Sequence, residues 1–517
     1  MYAVVQKPRA TATLRVPGSV GPLMLVTESV GEPPYLYGLA LPSGLLVADN
    51  PLVHLRFKTS EALMLEQLPD PLRLNRMMTR RDSLRAGFLG LGGITLADLL
   101  RLRAQAATDG IAENKDTAVI LLFVHGGPSH LETYDMKPNA PSEIRGPFSP
   151  IRTNVAGLDV CELMPRHAQI ADKYTIIRSV SHDQANHFEG HARFLSGYGQ
   201  MKTGSSESHY PMVGSVVNRV METKHRGLPA AVAINGVCVN GPDYSPGIAQ
   251  GYWSSQYRVP ICNFHLRDSQ LTIAPRHLGD RLGLQRSFDQ LRQGLDQSGS
   301  MDALDAFNRR AIDILTTGKA QKAFDISQED PRIREKYGDD YFGREALLAR
   351  RLVEAGVSFV SIRVPGGGPN SKAHDWDDHA VNWDMPTAMT ARMPRYDHVV
   401  TTLIEDLFDR GLDKKVLLVV TGEFGRTPRL EFKDGRIGRD HYPGAMSILV
   451  SGGNMPMGQI LGQTNRYGEH PVDLQHDPHD ILATIYKHLG IDHTQEFLDA
   501  QGRPIPLTRG TPIRELV

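Results

Sequence analysis

Several histidines and carboxylates occur after apolar runs of this sequence, at positions where parallel β-strands would end. These residues are His125, His187, Asp377, His379, Glu423 and His441. In an open parallel sheet the functional groups collect at the carboxyl ends of the strands. Mixed imidazole and carboxylate ligands suit divalent metal ions. We therefore predict a divalent metal ion as cofactor, and Zn, Ca, Mg and Mn all agree with these ligand types.

The segment HDWDDH, residues 374–379, is the densest group of possible ligands. Asp377 and His379 are two residues apart, so in an extended segment both side chains point to the same side. Asp375 and His379 are four apart and would share a face in a helix, which makes Asp375 the alternative ligand. The same segment is also typical of a solvated polar loop without a metal.

Glu423 follows the apolar run VLLVV in the stretch TGEFGRTP. It is either a metal ligand or a strand-end charge that pairs with Arg426 or Arg429. His441, in the stretch GRDHYP, is either a ligand or a loop histidine that bonds to its neighbours. The glycine amides of GGPSH, after the first apolar run, either cradle an anion or form a tight turn.

Strands that alternate with helices would bring these residues together. Continuous apolar runs predict buried strands, and they are Ala118–Val124, Tyr174–Arg178, Val357–Val364 and Val416–Val420. Amphipathic helices precede the last two, and a final strand SILVSGG is followed by the helix DPHDILATIYKHLG, with Asp480 expected to cap it. The pattern predicts an α/β fold with a doubly wound, mostly parallel sheet and helices on both faces.

Composition excludes several classes of protein. The 517 residues have a net charge of -1, so no basic footprint indicates nucleic acid as a partner. The three cysteines have no CxxC spacing, which argues against a cysteine zinc site. Apart from a signal segment, no apolar run reaches the roughly 18 residues of a membrane span.

Residues 77–107 have the order of an export signal, with Arg80-Arg81, a mildly apolar stretch and then Ala104-Gln105-Ala106. The paired arginines are typical of the twin-arginine route, so we expect an exported protein of the periplasm or cell envelope. An amphipathic surface helix is the alternative. Because the signal begins so late, we predict that residues 1–76 are a non-native upstream extension or disordered. Residues 115–517 are expected to form one domain with a helical insertion at about 280–330.

Several motifs of the chain are similar to those of a known family. HGGPSHLETYDMKPNAP, GHARFLSGY, TGEFGRTP, GRDHYP and GRPIPL together resemble the domain-of-unknown-function family 1501, over about residues 78–517. This exported bacterial family is placed in the alkaline phosphatase-like superfamily, with sulfatases and phosphatases. The resemblance implies an alkaline phosphatase-like fold.

The chain departs from the sulfatase motifs at the positions that carry their chemistry. His187 falls where the sulfatase signature has its Cys or Ser nucleophile. Glu423 falls where T-S-D-H-G has its metal-binding Asp, and Phe424 replaces the following His. A single metal site without the usual nucleophile is what these differences imply.

Together, the residues and the resemblance predict an exported, metal-dependent hydrolase of a sulfate or phosphate ester, on a small molecule or a polysaccharide. The predicted metal ligands are Asp377, His379, Glu423 and His441. His187 is expected to attack or to transfer a proton. Arg193 or Arg426 is expected to hold the anionic group, since arginine's planar fork suits tetrahedral oxyanions. The alternatives are a non-catalytic protein of the same fold that binds a ligand or a cell-surface partner, and a structural envelope protein.

Overall fold

This computed structural model describes residues 116–203, 205, 207–221, 228–234, 249–262, 319–367, 372–499 and 501–517, together with five short N-terminal strands. The chain forms two compact units, Met1–Arg101 and Leu102–Val517. The first unit contains the strands Thr11–Leu14, Leu23–Val26, Ala40–Leu41, Gly44–Val47 and Arg56–Phe57. The predicted export signal and most of the predicted 280–330 insertion lie outside the described residues, so both stay predictions. No helix in the described part is long and apolar enough to span a membrane.

A central sheet organises the second unit. Its strands in the described residues are β1 (Ala118–Phe123), β2 (Thr175–Val180), β3 (Ala231–Ile234), β4 (Ile261–Cys262), β5 (Phe359–Arg363), β6 (Val416–Thr421), β7 (Met446–Gly452) and β8 (Gln459–Leu461). The spatial order is β4-β3-β5-β1-β6-β7-β2-β8. The four strands predicted from apolar runs are β1, β2, β5 and β6, and their ends agree within two residues.

The sheet is mostly parallel, as predicted. β4, β3, β5, β1 and β6 pair in parallel, and so do β2 and β8. β7 is the exception, because it pairs antiparallel with both β6 and β2. The sequence SILVSGG therefore forms the expected strand, but in the reversed direction.

Helices cover both faces of the sheet. The longer ones are α1 (His187–Ser196), α2 (Val213–Val220), α3 (Tyr341–Glu354), α4 (Met385–Asp409) and α5 (Pro478–Leu489). Shorter helices span Ser142–Arg145, Pro165–Gln169, Lys319–Phe324 and Pro331–Tyr337. Apolar side chains of α3 and α4 pack on one face, and those of α1, α2 and α5 pack on the other. The doubly wound α/β architecture is confirmed.

Side chains of β1 alternate between the two faces of the sheet, and helices cover both faces. Ile120 and Leu122 belong to the core under α3 and α4, whereas Val119 and Leu121 belong to the core under α1, α2 and α5. Successive side chains of a strand point to opposite faces, so a strand with two covered faces must be apolar at every position.

Asp480 takes part in the cap of α5 as predicted, but the N-cap residue lies three positions earlier. The N-cap is Asp477, whose side chain accepts a hydrogen bond from His479 N, whereas Asp480 accepts from the backbone N of Asp477. These two acids form a reciprocal capping box, which satisfies backbone donors that a helix start leaves unpaired. Asp480 therefore belongs to the cap, but at its third helical position and not at the cap residue itself.

Candidate metal centre

The loops after β1, β2, β5 and β6 converge at the carboxyl edge of the sheet, around Asp377. Its Oδ1 lies 2.9 Å from Nε2 of His441, 3.0 Å from Nε2 of His379 and 3.4 Å from Nε2 of His187. The Nε2 atoms of His379 and His441 are 2.9 Å apart. Three of the four predicted ligands thus meet at one point, whereas Glu423 joins them through His187.

Two glycines allow the loops to approach this closely. Gly126 has a φ of +110°, and a Cβ there would lie 2.4 Å from the backbone N of Asp377. Gly438 lies in the hairpin that leads to His441, and a Cβ there would lie 2.1 Å from the backbone N of Ala380. Any side chain at either position would push the HDWDDH loop out of place.

A short antiparallel ribbon places Arg426 opposite His441. Arg426 is fully buried, and its Nη2 donates to Oδ1 of Asp377 at 2.6 Å. Its Nε and Nη1 donate to the carbonyls of Gly127 and Arg439, both at 2.9 Å. The guanidinium therefore fixes the position of the Asp377 carboxylate, and its N–H groups donate to protein oxygens.

The tautomers of two histidines follow from their outer contacts. Nδ1 of His379 is 2.7 Å from Oδ1 of Asp440, and Nδ1 of His441 is 2.8 Å from the carbonyl oxygen of Ala185. Both partners are acceptors, so each Nδ1 carries the proton when the imidazole is neutral. The Nε2 lone pairs then face each other beside the negative Asp377 oxygen. Only a cation or an added proton stabilises such an arrangement.

The outer contacts are those that metal-binding histidines usually make. A ligating imidazole almost always donates its other N–H to a carboxylate or a backbone carbonyl, which fixes the ring. His379 and His441 both satisfy this rule through Asp440 and Ala185. The second oxygen of Asp377, Oδ2, accepts from Asn382 Nδ2 at 3.0 Å, so the carboxylate is oriented as well.

Glu423 forms a pair with His187 behind the cluster. Its Oε1 lies 2.6 Å from Nδ1 of His187 and 3.5 Å from Nδ1 of His125, and it accepts from the backbone N of Gly126 at 2.9 Å. Oε2 is buried without a hydrogen-bond partner among the described residues. The Phe424 ring packs against the His187 ring, with centroids 5.3 Å apart, and closes this side of the cluster.

These contacts perturb the acid–base behaviour of the cluster. Burial alone would raise the pKa of Asp377, but its contacts with the imidazoles of His187, His379 and His441 and the charge of Arg426 hold it far below its usual range. Burial would also raise the pKa of Glu423, yet the charges of His125 and His187 lower it to about 2. Burial alone would lower the pKa of His187, but its bonds to the two carboxylates raise it to about 10. Both acids are therefore ionised at neutral pH.

Arg193, the other predicted anion-holding residue, lies further along α1. Its Nε donates to Oδ1 of Asp183 at 3.2 Å, its Nη1 donates to the carbonyl of Gly197 at 2.7 Å, and its Nη2 pairs with Asp477. Arg193 thus ties α1 to the cap of α5. The predicted role of Arg193 and Arg426 in holding an anion stays a prediction, since both guanidinium groups bind protein oxygens in this structure.

The structure also answers the alternatives within HDWDDH. Residues 377–379 are not helical, and Asp375 accepts a bond from the backbone N of Asp377 at 3.1 Å. The segment is therefore not the helix that would pair Asp375 with His379, and it is Asp377 that lies beside His379, with Oδ1 3.0 Å from Nε2. Sequence reasoning did not select Asp440, although an acid beside His441 is the type of residue that an imidazole needs as its outer partner.

Three groups in the described residues have possible ligand atoms within 4.8 Å of one another. They are His125/His187/Glu423, His187/Asp377/His441 and His379/Glu431/Asp440. In the first and third, the short contacts run from an Nδ1 to a carboxylate, which is an ordinary hydrogen bond. Within the part of the chain that the structure describes, Nε2 atoms lie close to a carboxylate and to each other only around Asp377. This point is the strongest candidate for a metal.

The fold and the site define an α/β protein with a histidine–carboxylate cluster at the carboxyl edge of its sheet. The chain belongs to the DUF1501 family, described as a protein of unknown function, whose model matches residues 116–517. No curated protein matches the chain.

Among solved structures, the chain is similar to a sulfatase from Pseudoalteromonas sp., with 13% identity, a TM-score of 0.35, and coverage of 76% of this chain and 70% of that one. It is also similar to a phosphonate monoester hydrolase from Silicibacter pomeroyi, with 10% identity, a TM-score of 0.31, and 77% and 76% coverage. A third is the C-terminal periplasmic domain of EcEptC from Escherichia coli in complex with Zn, with 10% identity, a TM-score of 0.32, and 78% and 93% coverage.

Proposed function

We propose that Asp377, His379 and His441 bind a divalent metal ion and that the chain hydrolyses a phosphate or sulfate ester there. One observation carries the proposal. The Nε2 atoms of His379 and His441 lie 2.9 Å apart and within 3.0 Å of Oδ1 of Asp377, while both outer Nδ1 atoms already have acceptors. A divalent cation satisfies all three electron-rich atoms at once.

The ligand types and spacings favour zinc as the test ion. Zinc bonds of about 2.0–2.1 Å at tetrahedral angles separate neighbouring ligand atoms by about 3.3 Å. The distances among the three ligand atoms are 2.9–3.0 Å, so a shift of a few tenths of an ångström accommodates the ion. Two imidazoles with one carboxylate suit zinc or manganese better than calcium, which prefers six to eight oxygen ligands.

Three protein ligands leave one position open, as in catalytic zinc sites. The ligand side chains are partly exposed, between 16% and 21%, so solvent and an ester reach them. A bound ion would supply Lewis acidity at the oxygen of the ester. The protein's own part is to hold Asp377 through Arg426 and to place His187 beside the open position.

A non-catalytic binding protein is the second candidate, and one distance favours it. Nε2 of His187 lies 3.4 Å from Oδ1 of Asp377, close to the ligand spacing expected in a tetrahedral zinc site. If His187 is the fourth ligand, the centre is closed, and closed zinc sites are structural. The chain would then bind a ligand or a cell-surface partner without hydrolysis.

Export is part of the proposal. The predicted twin-arginine-type signal at 77–107 supports a periplasmic or cell-envelope location, and the substrate would then be a small-molecule or polysaccharide ester outside the cytoplasm. Sequencing the N-terminus of protein recovered from the cell envelope tests this point. A mature protein that begins near residue 107 supports it, and an intact 1–107 segment contradicts it.

The central experiment measures metal and turnover together. Metal-free full-length protein is titrated with zinc, and hydrolysis of p-nitrophenyl phosphate and p-nitrophenyl sulfate is followed with and without chelator. We expect one zinc per chain and hydrolysis of one ester that the chelator abolishes. His379→Ala and His441→Ala should lose both, whereas the exposed His470→Gln, used as a control, should lose neither. One zinc without hydrolysis supports the binding protein, and no zinc refutes the centre.

A further inference from the structure

We infer that a surface outside the candidate metal centre, formed by Arg219 and a series of aromatic rings, binds an anionic polysaccharide. Arg219 binds a sulfate or carboxylate group of this ligand, and the rings stack on its sugar units. The binding itself needs neither the metal nor hydrolysis. Only the statement that the same polysaccharide is also the substrate rests on the proposed function.

Three aromatic rings surround the guanidinium of Arg219, near the end of α2. Its Cζ lies 4.3 Å from the ring centroid of Trp253, 4.4 Å from that of Phe497 and 5.2 Å from that of Tyr257. The rings come from segments that are far apart in the sequence, and Phe497 belongs to the strand Glu496–Leu498 near the end of the chain. Stacking on aromatic faces fixes the plane of a guanidinium and leaves its N–H edges free.

The N–H groups of Arg219 have no hydrogen bond or ion pair with any residue that the structure describes. Other arginines of the described chain donate to carboxylates or carbonyls, among them Arg350, Arg426 and Arg439. A guanidinium carries five donors, and its planar fork matches two oxygens of a carboxylate, sulfate or phosphate. Arg219 is therefore held in one position with its donors available to an anion.

The aromatic surface continues beyond the Trp253 ring. The centroid of Tyr252 lies 6.4 Å from that of Trp253, and 5.9 Å from that of Tyr210. The Tyr210 ring stacks on that of Tyr198, with centroids 4.3 Å apart. These tyrosines are partly exposed, and the exposed Arg509 has its Cζ 5.4 Å from the Tyr198 ring. The connected rings thus have an arginine at each end of the series.

The chemistry of this surface matches an anionic polysaccharide. Sugar rings stack through their C–H faces on aromatic rings, and tyrosine combines an apolar face with a polar edge. The hydroxyl groups of Tyr210 and Tyr252 have no hydrogen bond to a described residue, so they are available to sugar hydroxyls. A polymer with repeated anionic groups reaches both arginines at once. Nucleic acid also combines stacking with anions, but the net charge of -1 gives the chain no basic footprint for it.

One loop connects this surface to the candidate metal centre. A Cβ on Gly199, the residue after Tyr198, would lie 2.9 Å from Cγ of Gln184. The residue after Gln184 is Ala185, whose carbonyl oxygen accepts the hydrogen bond from Nδ1 of His441. A polysaccharide on the aromatic surface therefore lies one loop away from the centre, and a neighbouring part of the same polymer reaches it.

Polysaccharide binding by the full-length protein, measured with chelator present, tests the inference. Chondroitin sulfate carries sulfates and carboxylates, hyaluronan carries carboxylates alone, and dextran is uncharged. Each is titrated while heat and tryptophan emission are followed. We expect at least one anionic polysaccharide to bind about 10-fold more tightly than dextran, with an emission change that Trp253→Phe abolishes. If neither anionic polysaccharide binds, or if a single-stranded oligonucleotide binds more tightly than both, the inference is wrong.

Arg219→Gln removes the anion contact. The affinity for the anionic polysaccharide should fall by about 10-fold, the lower end for hydrogen bonds to a charged group. Arg219→Lys keeps the charge without the planar fork and should lose less. The matched control is Arg334→Gln, which removes an exposed arginine from the helix Pro331–Tyr337 on the opposite face of the sheet and should bind like the wild type. Equal affinity in Arg219→Gln and the wild type would overturn the inference.

Tyr210→Ala is an independent variant, because it removes a partly exposed ring and leaves the Arg219 stack in place. We expect about 2- to 10-fold weaker binding of the anionic polysaccharide. Thermal unfolding checks that each variant folds. If Arg219→Gln does not fold, Tyr210→Ala decides, and unchanged affinity in that variant contradicts the aromatic surface as the binding site.

The outcomes separate this inference from the proposed function. Hydrolysis of a p-nitrophenyl ester by a protein that binds no polysaccharide overturns the inference and leaves the proposed function intact. Polysaccharide binding that depends on Arg219, in a protein that hydrolyses no ester with zinc present, supports the inference and contradicts the proposed hydrolysis.

Discussion

Replacing Asp440 with asparagine should weaken zinc binding without touching the three proposed ligands. Asp440 contacts the outer nitrogen of His379 at 2.7 Å, and asparagine keeps an acceptor there while removing the charge. Loss of such an outer partner costs about 10- to 100-fold in metal affinity. Because the Asp440 side chain is 59% exposed, solvent screens its charge. We therefore expect the lower end, about 10-fold or about 1.4 kcal/mol.

Competition for zinc with a chelator of known affinity measures this change. The matched control is Asp434→Asn, which changes an exposed acid in the hairpin just before Asp440, 3.8 Å from Arg436; its zinc affinity should not change. Equal affinity in Asp440→Asn and the wild type would show that His379 does not bind the metal through its inner nitrogen. An equal loss in both variants would point to a general change of surface charge.

Three further predictions concern acid–base behaviour and stability. Burial raises the pKa of Glu345 to about 8. The folded state therefore keeps a proton that the unfolded chain releases near pH 4.5, and stability falls as pH rises between these values. Between about pH 5.5 and 7.5, the free energy of unfolding of the wild type, measured in urea, should fall by about 2.7 kcal/mol relative to that of Glu345→Gln. The control Glu335→Gln changes an exposed acid and should follow the wild type. If the wild type and Glu345→Gln show the same pH dependence, the burial argument is wrong. Asp477→Ala removes the cap of α5 and should cost about 1 kcal/mol in the same assay, and no loss would mean that the capping box is not used. The contacts of His187 with two carboxylates raise its pKa to about 10 in the metal-free protein, so zinc binding at about pH 7.5 should release protons and the zinc affinity should rise as pH rises toward 10. Calorimetry in buffers of different ionisation enthalpy measures this release. A zinc affinity that does not depend on pH would contradict the prediction.

The fold was largely predictable because each buried strand is apolar at every position. β1 and β6 lie in the middle of the sheet with both faces covered, so their sequences leave no polar alternation to misread. The direction of β7 was not predictable, since a buried strand has the same composition in either orientation. Only pairing with distant β2 and β6 reveals it.

The site was predictable in its residue types but not in its contacts. Asp377, His379 and His441 were expected from their positions after strands, and they meet within 3.0 Å of one another. Glu423 was expected beside them, but in the folded protein the His187 ring lies between Glu423 and Asp377. Sequence spacing fixes which edge of the sheet a residue reaches, whereas the loop backbone decides which atoms touch.

The reversed direction of β7 has a consequence for how this site is built. A parallel crossover after β6 would carry the chain to the opposite edge of the sheet, whereas an antiparallel return begins and ends at the same edge. The whole connection from residue 422 to 445 therefore stays where the cluster lies, and it carries Glu423, Arg426, Asp440 and His441. One segment that makes no crossover thus supplies the proposed ligand His441 and also the two side chains that orient the other proposed ligands, Arg426 at Asp377 and Asp440 at His379.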